Sequence, residues 1–185
     1  MNYIAAEFEF EFDHQRMAEE LLAIPYDYWM VSKRNDHTYK SVFLTKNNSA
    51  VFTDFKTAKS IFHSEWSWDD RFNIPYTRSI IESLPASVVG MVRAMWTNGP
   101  LPMHVDTDAT TPTDKTYSMA VTLAPILQEP MTMAEAMLVP GKTVLFDDSV
   151  PHGFPTATTD QLGVRIFGDY DYDKFRILRY YTNPR

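Results

Sequence analysis

The first part of the chain changes from a two-residue hydrophobic period to a helical one. From Glu7 to Phe12, acidic and aromatic residues alternate singly, so a β-strand here would carry phenyl rings on one face and carboxylates on the other. We expect this strand to cover a core at the edge of a sheet. Asp13 then predicts the cap of a helix that runs to about Ile24, stops at Pro25 and packs outside the β core.

The following segment carries weaker patterns. Tyr39–Leu44 predicts a short strand, and Ala50–Thr53 predicts a second one. A helical turn is expected over Thr57–Trp66 and a helix over Thr77–Leu84, ending before Pro85. Together these patterns predict mixed α and β elements that flank the main core.

Beyond residue 87 the pattern becomes a series of short hydrophobic runs separated by proline and glycine. Such a series is typical of a barrel or a two-sheet jelly roll. The predicted strands are Val88–Trp96, Met103–Val105, Tyr117–Leu123, Ala136–Val139, Thr143–Phe146, Gly163–Asp169 and Phe175–Tyr181. We therefore predict a mainly β, cupin-like jelly roll with a few flanking helices. It would form one domain over 1–185, with flanking α/β elements over 1–86 and the core over 87–182.

Composition narrows the function classes. With 24 acidic and 17 basic residues among 185, the chain has a net charge of −7 and would repel a phosphate backbone, so no nucleic-acid partner is expected. No signal peptide or membrane-length apolar run is visible, which predicts a soluble, cytoplasmic protein. The chain has no cysteine, which excludes thiolate and disulfide chemistry. Any metal must therefore be bound by histidine and carboxylate.

Such a donor set is present. His104 and Asp106 are two residues apart, so in an extended segment both side chains lie on one side. His152 lies on a later segment that would fold back beside the first. Two imidazoles and one carboxylate are a common set of protein ligands for non-haem Fe(II), and they leave positions open for other ligands. We predict His104, Asp106 and His152 as metal ligands.

The pair alone is weak evidence, because 5 histidines and 24 acidic residues in 185 give about 0.6 His-x-acid pairs by chance. A rival pair, His63 and Glu65, lies in a stretch that is expected to be helix or loop and has no barrel strand around it. His104 differs because the polar run of residues 107–116 follows it, which places the pair where a strand ends at a barrel mouth. Barrel mouths are where ligands bind.

A cation follows in the predicted core. Arg165 lies in the predicted strand Gly163–Asp169. Burying a guanidinium inside a barrel costs free energy unless it meets an anion. Its planar group of N–H donors can bind a carboxylate through two hydrogen bonds. The alternative is an ordinary ion pair with an acidic residue on the outer face.

The segment Gly141–His152, GKTVLFDDSVPH, followed by Arg165, resembles the distal motif of the aspartyl/asparaginyl β-hydroxylases. His104-Val105-Asp106 is similar to the proximal motif of that family and of the related hydroxylases of free proline. The resemblance covers residues 88–172. It implies a double-stranded β-helix and an Fe(II)/2-oxoglutarate-dependent oxygenase, with iron on the three predicted ligands and the far carboxylate of 2-oxoglutarate on Arg165. The implied reaction hydroxylates an amino acid, or its side chain in a peptide, and releases succinate and CO2.

The chain departs from the family at the second cosubstrate contact. The family commonly has a basic residue that contacts 2-oxoglutarate on the strand between the two motifs. This chain has Tyr117 at the corresponding position, which donates one hydrogen bond and brings no charge. Arg93 would supply a second cation or be a surface residue. Asp147 and Asp148 point to opposite faces of a strand, so we expect them to support the turn and the histidine, with Ser149 capping the turn.

Two other functions fit the same residues. One is a cupin-like metal enzyme that does not use 2-oxoglutarate, against which Arg165 argues. The other is a non-enzymatic jelly-roll module that binds sugar through its aromatic residues. For the oxygenase, the expected partner is a small molecule or a peptide substrate, no catalytic residue is expected beyond the metal ligands, and the oligomeric state stays open.

Overall fold

A computed structural model describes residues 3–34, 37–48, 66–105, 119–126, 129–138, 142–147 and 149–182. Within these ranges, helix α1 spans His14–Leu22 and helix α2 spans Pro75–Glu82. The strands are β1 Ala5–Phe8, β2 Met30–Arg34, β3 His37–Phe43, β4 Thr45–Asn47, β5 Trp66–Trp68, β6 Ala86–Asn98, β7 Leu101–His104, β8 Met119–Ile126, β9 Thr132–Met133, β10 Ala136–Met137, β11 Val144–Asp147, β12 His152–Phe154, β13 Asp160–Tyr170 and β14 Ile177–Tyr181.

The strands form two facing sheets and a separate two-stranded sheet. The large sheet has the order β14-β1-β11-β8-β13-β6-β3-β2, the small sheet has the order β10-β9-β12-β7, and β4 pairs with β5. From β6 to β13 the chain passes repeatedly from one sheet to the other, and the pairs are antiparallel. This arrangement is a double-stranded β-helix, so the predicted mainly β jelly roll is confirmed.

The alternation of side chains along β13 separates the two faces of the large sheet. Leu162, Val164 and Ile166 are buried in a cluster with Met17 and Leu21 of α1. The residues that alternate with them, Gln161, Gly163 and Arg165, line a cavity between the sheets. Because neighbouring residues of a strand point to opposite faces, helix packing on one face leaves the other face for the interior of the barrel.

The predicted N-terminal strand occupies a different place from the one expected. Strand β1 begins at Ala5 and ends at Phe8, and it lies between β14 and β11 rather than at a sheet edge. The predicted edge position is wrong because the C-terminal strand β14 pairs with β1 and forms the edge instead. As a result Glu7 is buried, and its carboxylate accepts a hydrogen bond from the hydroxyl of Tyr181.

Other boundaries match the sequence pattern in part. The Asp13 side chain caps α1 by accepting from the backbone N–H of Arg16, as predicted, whereas α2 begins two residues before Thr77 because Pro75 is well suited to the first turn. Trp66 begins strand β5 instead of ending a helical turn. The predicted strand 50–53 and residues 57–65 lie outside the described residues. In the described ranges, no helix is long and apolar enough to span a bilayer.

Candidate active site

Two histidines face each other on neighbouring strands of the small sheet. His152 on β12 is the direct cross-strand partner of His104 on β7, and their ring centroids are 4.5 Å apart. His152 is almost completely buried, and His104 is half-buried. The antiparallel register therefore brings together two of the three metal ligands predicted from the sequence.

Both rings are oriented by the same kind of backbone contact. Nδ1 of His104 is 2.8 Å from the carbonyl oxygen of Pro102, and Nδ1 of His152 is 2.9 Å from that of Val150. A carbonyl oxygen only accepts, so Nδ1 is the donor in each ring. A neutral imidazole of this tautomer carries its lone pair on Nε2, which is the atom that can bind a metal.

A short turn delivers His152 to its strand. The carboxylate of Asp147, at the end of β11, accepts hydrogen bonds from the backbone N–H of Ser149, at 3.0 Å, and from its hydroxyl. The backbone N–H of Val150 donates to the carbonyl of Asp147. This geometry agrees with the turn-supporting role expected of Asp147, while Asp148 lies outside the described residues.

Glycine next to the buried histidine allows β12 and β7 to approach closely. A Cβ atom on Gly153 would lie 2.7 Å from the carbonyl oxygen of Leu101 and 2.8 Å from that of Pro102, well inside van der Waals contact. The Pro102 carbonyl is the same one that orients His104. A residue without a side chain is therefore required at position 153 for the two histidines to meet.

Arg165 lies beside the histidine pair inside the barrel. Its Nη2 atom donates to Nε2 of His152 at 3.3 Å, so the guanidinium contacts the lone pair that a metal would use. Its guanidinium carbon lies 4.9 Å from the ring centroid of Phe146. That phenyl ring packs edge-on against His152, with the centroids 5.2 Å apart. The side chain is half-buried and points inward, so the alternative of an ion pair on the outer face does not apply.

A cavity extends from these residues between the two sheets. Its wall is mostly apolar, with Met95, Met131 and Leu138 among the lining residues. The polar and charged side chains in the lining are Thr97, Thr122, Lys142, His152, Gln161 and Arg165. The cavity therefore has a hydrophobic body with cations available for an anionic ligand.

The other predicted contacts are only partly placed. Arg93 is the cross-strand partner of Arg165 but is absent from the cavity lining; its Nη2 donates to the hydroxyl of Ser41 at 2.8 Å. Asp106 and Tyr117 lie outside the described residues, as do both members of the rival His63 pair. Within the described ranges, no group of three or more histidine and acidic side chains could hold a metal ion.

Sequence reasoning missed most of the polar cavity lining. Thr122 is the one hydroxyl in an otherwise apolar strand, MAVTLAPI, and it lies opposite Arg165. Gly163 stands two residues before Arg165 on the inward face of β13, and a Cβ there would meet nothing closer than 3.8 Å. A lone polar residue in an apolar strand and a glycine at an inward position were the available signs of a cavity.

Comparison with known proteins finds similarity at the level of the fold. No protein-family model matches the chain, and no curated protein matches it. A 2OG-Fe(II) oxygenase family oxidoreductase from Burkholderia pseudomallei aligns with a TM-score of 0.52 at 11% identity, over 84% of this chain and 80% of that one. A Pseudomonas putida prolyl-4-hydroxylase aligns with a TM-score of 0.51 at 12% identity, over 91% and 92%. The chain therefore shares the double-stranded β-helix of these oxygenases.

Proposed function

We propose that this chain is an Fe(II)/2-oxoglutarate-dependent oxygenase that hydroxylates an amino acid, or an amino-acid side chain in a peptide, and releases succinate and CO2. The observation that carries the proposal is the group formed by His104, His152 and Arg165. Two oriented imidazoles lie side by side, and a cation adjoins them in a mostly apolar cavity. The fold shared with 2OG-Fe(II) oxygenases agrees with this proposal.

The donor chemistry fits ferrous iron. His104 and His152 would bind the metal through Nε2, which requires the Arg165 guanidinium to move off Nε2 of His152. Asp106 would supply the carboxylate, since it is two residues from His104 in the sequence. This set of two imidazoles and one carboxylate suits Fe(II) and leaves positions for other ligands. The carbonyls of Pro102 and Val150 hold the two rings in the metal-binding tautomer.

The cavity fits a 2-oxo acid with a second carboxylate. Arg165 would bind that carboxylate through its fork of N–H donors. Fe(II), 2-oxoglutarate and dioxygen together supply the oxidising chemistry, as cofactors do generally. The residues of the chain orient the cosubstrate and limit the access of water, the latter through apolar lining residues such as Met131 and Leu138.

The substrate class follows from the sequence resemblance. The Phe146–His152 motif resembles that of aspartyl/asparaginyl β-hydroxylases, so peptides containing Asp or Asn are the first substrates to test. Free proline and other free amino acids come next, because the related hydroxylases of free proline have a similar proximal motif.

A turnover assay tests the proposal. Purified protein is incubated with Fe(II), 2-oxoglutarate and oxygen, alone and with the panel of peptides and amino acids, and succinate is measured. We expect succinate formation that requires Fe(II) and is stimulated by at least one substrate. A protein that binds Fe(II) but neither binds nor consumes 2-oxoglutarate would instead be a metal enzyme of the other predicted kind, and one that binds neither would be a binding module.

A further inference from the structure

A second concave site, with a volume of about 330 Å³, lies beside strand β3. We call it the aromatic groove, because its lining includes four aromatic residues together with two exposed cations: Tyr28, Phe43, Trp66, Phe72, Lys46 and Arg71. It shares no lining residue with the cavity that contains His152 and Arg165. Concave sites with aromatic walls and a few polar groups are typical places for a ligand.

The aromatic groove adjoins the proposed active site. Phe43 is the direct cross-strand partner of Arg93, and Arg93 is the direct partner of Arg165. Directly opposite residues have their side chains on the same face of a sheet, so Phe43 lies on the face that carries Arg165. Phe43 also packs against the buried cluster that contains Phe146, the ring that contacts His152. A ligand in the groove would therefore lie next to the site.

The order of the strands gives the distance from the groove to the site. Strand β6 lies between β3 and β13, so two strand spacings, roughly 10 Å, separate Phe43 from Arg165. An extended peptide covers this distance with about three residues. Lys46 lies three residues beyond Phe43 in the sequence, which lengthens the span by up to about three residues. A free amino acid is too short to contact both places, whereas a peptide is long enough.

The charges of the groove favour an acidic ligand. The one acidic residue in its lining is Asp69, which accepts hydrogen bonds from Nε and Nη2 of Arg71. Those bonds, and to a smaller extent the charge of Lys46, lower the pKa of Asp69, so both cations lie near this carboxylate. A guanidinium has five N–H donors, which leaves Nη1 of Arg71 for a further acceptor. Two cations and one carboxylate give the groove a net positive charge in a chain of net charge −7.

We propose that the aromatic groove binds an acidic side chain of a peptide substrate, about three to six residues from the residue that is hydroxylated. The inference rests on the proposed function and deepens it, because it selects peptides over free amino acids. The aromatic rings pack against the apolar parts of the peptide, and Lys46 and Arg71 attract its carboxylate.

The test uses short fluorescein-labelled peptides with a single Asn or Pro in an Ala-Gly background. Each carries one Glu, placed at increasing spacings on either side of that residue, and matched peptides carry Gln or Lys instead. Binding is measured by fluorescence anisotropy, and succinate formation is measured with the same peptides. The variants are Lys46→Met and Lys46→Glu. Lys40→Met is the matched control, because this lysine is on the same strand, β3, but lies over the rings of Tyr26 and Trp96.

We expect wild-type protein to bind the best-spaced Glu peptide about two- to fivefold more tightly than its Gln counterpart, the range for a partly exposed ion pair. Lys46→Met should lose most of this preference, Lys46→Glu should prefer the Lys peptide, and Lys40→Met should behave as wild type. Equal binding of Glu and Gln peptides by wild type would overturn the inference, and so would an unchanged preference in both Lys46 variants.

The two readouts separate this inference from the proposed function. Succinate formation with free amino acids, unaffected by Lys46→Glu and without peptide binding, would keep the function and overturn the inference. A preference for Glu peptides that depends on Lys46, with no succinate from any peptide or amino acid, would support the groove and overturn the proposed function.

Discussion

His104 and His152 meet only because Gly153 lets their strands come together. The two histidines are direct partners across β7 and β12, and the carbonyl that orients His104 belongs to Pro102. That same carbonyl oxygen lies only 2.8 Å from the position that a Cβ atom of residue 153 would take. The distance between the rings and the orientation of one of them thus depend on the same glycine.

Replacement of this glycine should disturb both the fold and the site. We expect Gly153→Ala to lower the free energy of unfolding by roughly 1–3 kcal/mol, the usual cost of an overpacked site, and to weaken Fe(II) binding. Urea unfolding and anaerobic Fe(II) titration measure the two effects. Gly163→Ala is the matched control, because its Cβ would meet nothing closer than 3.8 Å. Equal stability of the two variants would show that the close approach of β12 and β7 is not required.

Gly163 allows the cavity to be filled without disturbing the strand. A Cβ at this position would be at ordinary contact distance from the carbonyl oxygen of Leu123 and Cγ2 of Thr122, and valine is well suited to a strand. We therefore expect Gly163→Val to keep or raise the melting temperature while weakening 2-oxoglutarate binding by about tenfold or more. Thermal unfolding and calorimetry check this. Wild-type affinity in the folded variant would place the cosubstrate elsewhere.

The two arginines that face each other across β6 and β13 should differ in effect. Arg165 borders His152 and lines the cavity, whereas Arg93 donates to Ser41 and lies outside the lining. We expect Arg165→Met to weaken 2-oxoglutarate binding by at least about 30-fold, since truncating one member of a buried charge pair costs 2–5 kcal/mol. Arg93→Met should change it by less than about threefold. A larger loss of 2-oxoglutarate affinity in Arg93→Met than in Arg165→Met would show that Arg93 is the cosubstrate contact.

An ion pair between an exposed guanidinium and a buried carboxylate before α2 predicts a pH dependence of stability. The guanidinium of Arg71 donates to the carboxylate of Asp69, which is 6% exposed, and holds its pKa below the ordinary value of 3.8. A depressed pKa means that the ion pair stabilises the fold above pH 3.8 and that this contribution is lost as the pH falls through the lowered pKa.

We expect Asp69→Asn to lower the urea midpoint at pH 7, with the difference from wild type shrinking as the pH approaches the lowered pKa. Asp70→Asn, at the exposed neighbouring position, should have little effect at any pH. A difference between Asp69→Asn and wild type that persists unchanged at acid pH would contradict the assignment to the ion pair.

The sequence predicted the core better than its surroundings. The hydrophobic runs and the turn residues between them were enough for the jelly roll, because the period of two is set by which face of a strand is buried. The position of β1 could not be predicted in this way. It depends on the C-terminal strand pairing outside it, which is a long-range choice that the alternation of Glu7 to Phe12 does not contain.

The candidate site could be predicted where it depends on a sequence motif or on the alternation of side chains along a strand. His104, His152 and Arg165 come from spacing and resemblance, and the structure brings these three together. The positions of Thr122 and Gly163 in the cavity lining depend on cross-strand register, because only pairing shows that Thr122 stands opposite Arg165. Register arises from the whole sheet and cannot be read from one strand.

Anaerobic Fe(II) titration of single-histidine variants tests the proposed metal site most directly. Wild-type protein should bind one Fe(II) per chain. His104→Ala and His152→Ala should each lose more than about 100-fold in affinity, because even partners that only orient a ligand account for 10–100-fold. His63→Ala, which removes the histidine of the rival pair, should bind Fe(II) as wild type does. If His104→Ala and His152→Ala are folded and bind one Fe(II) with unchanged affinity, the proposed metal centre is wrong.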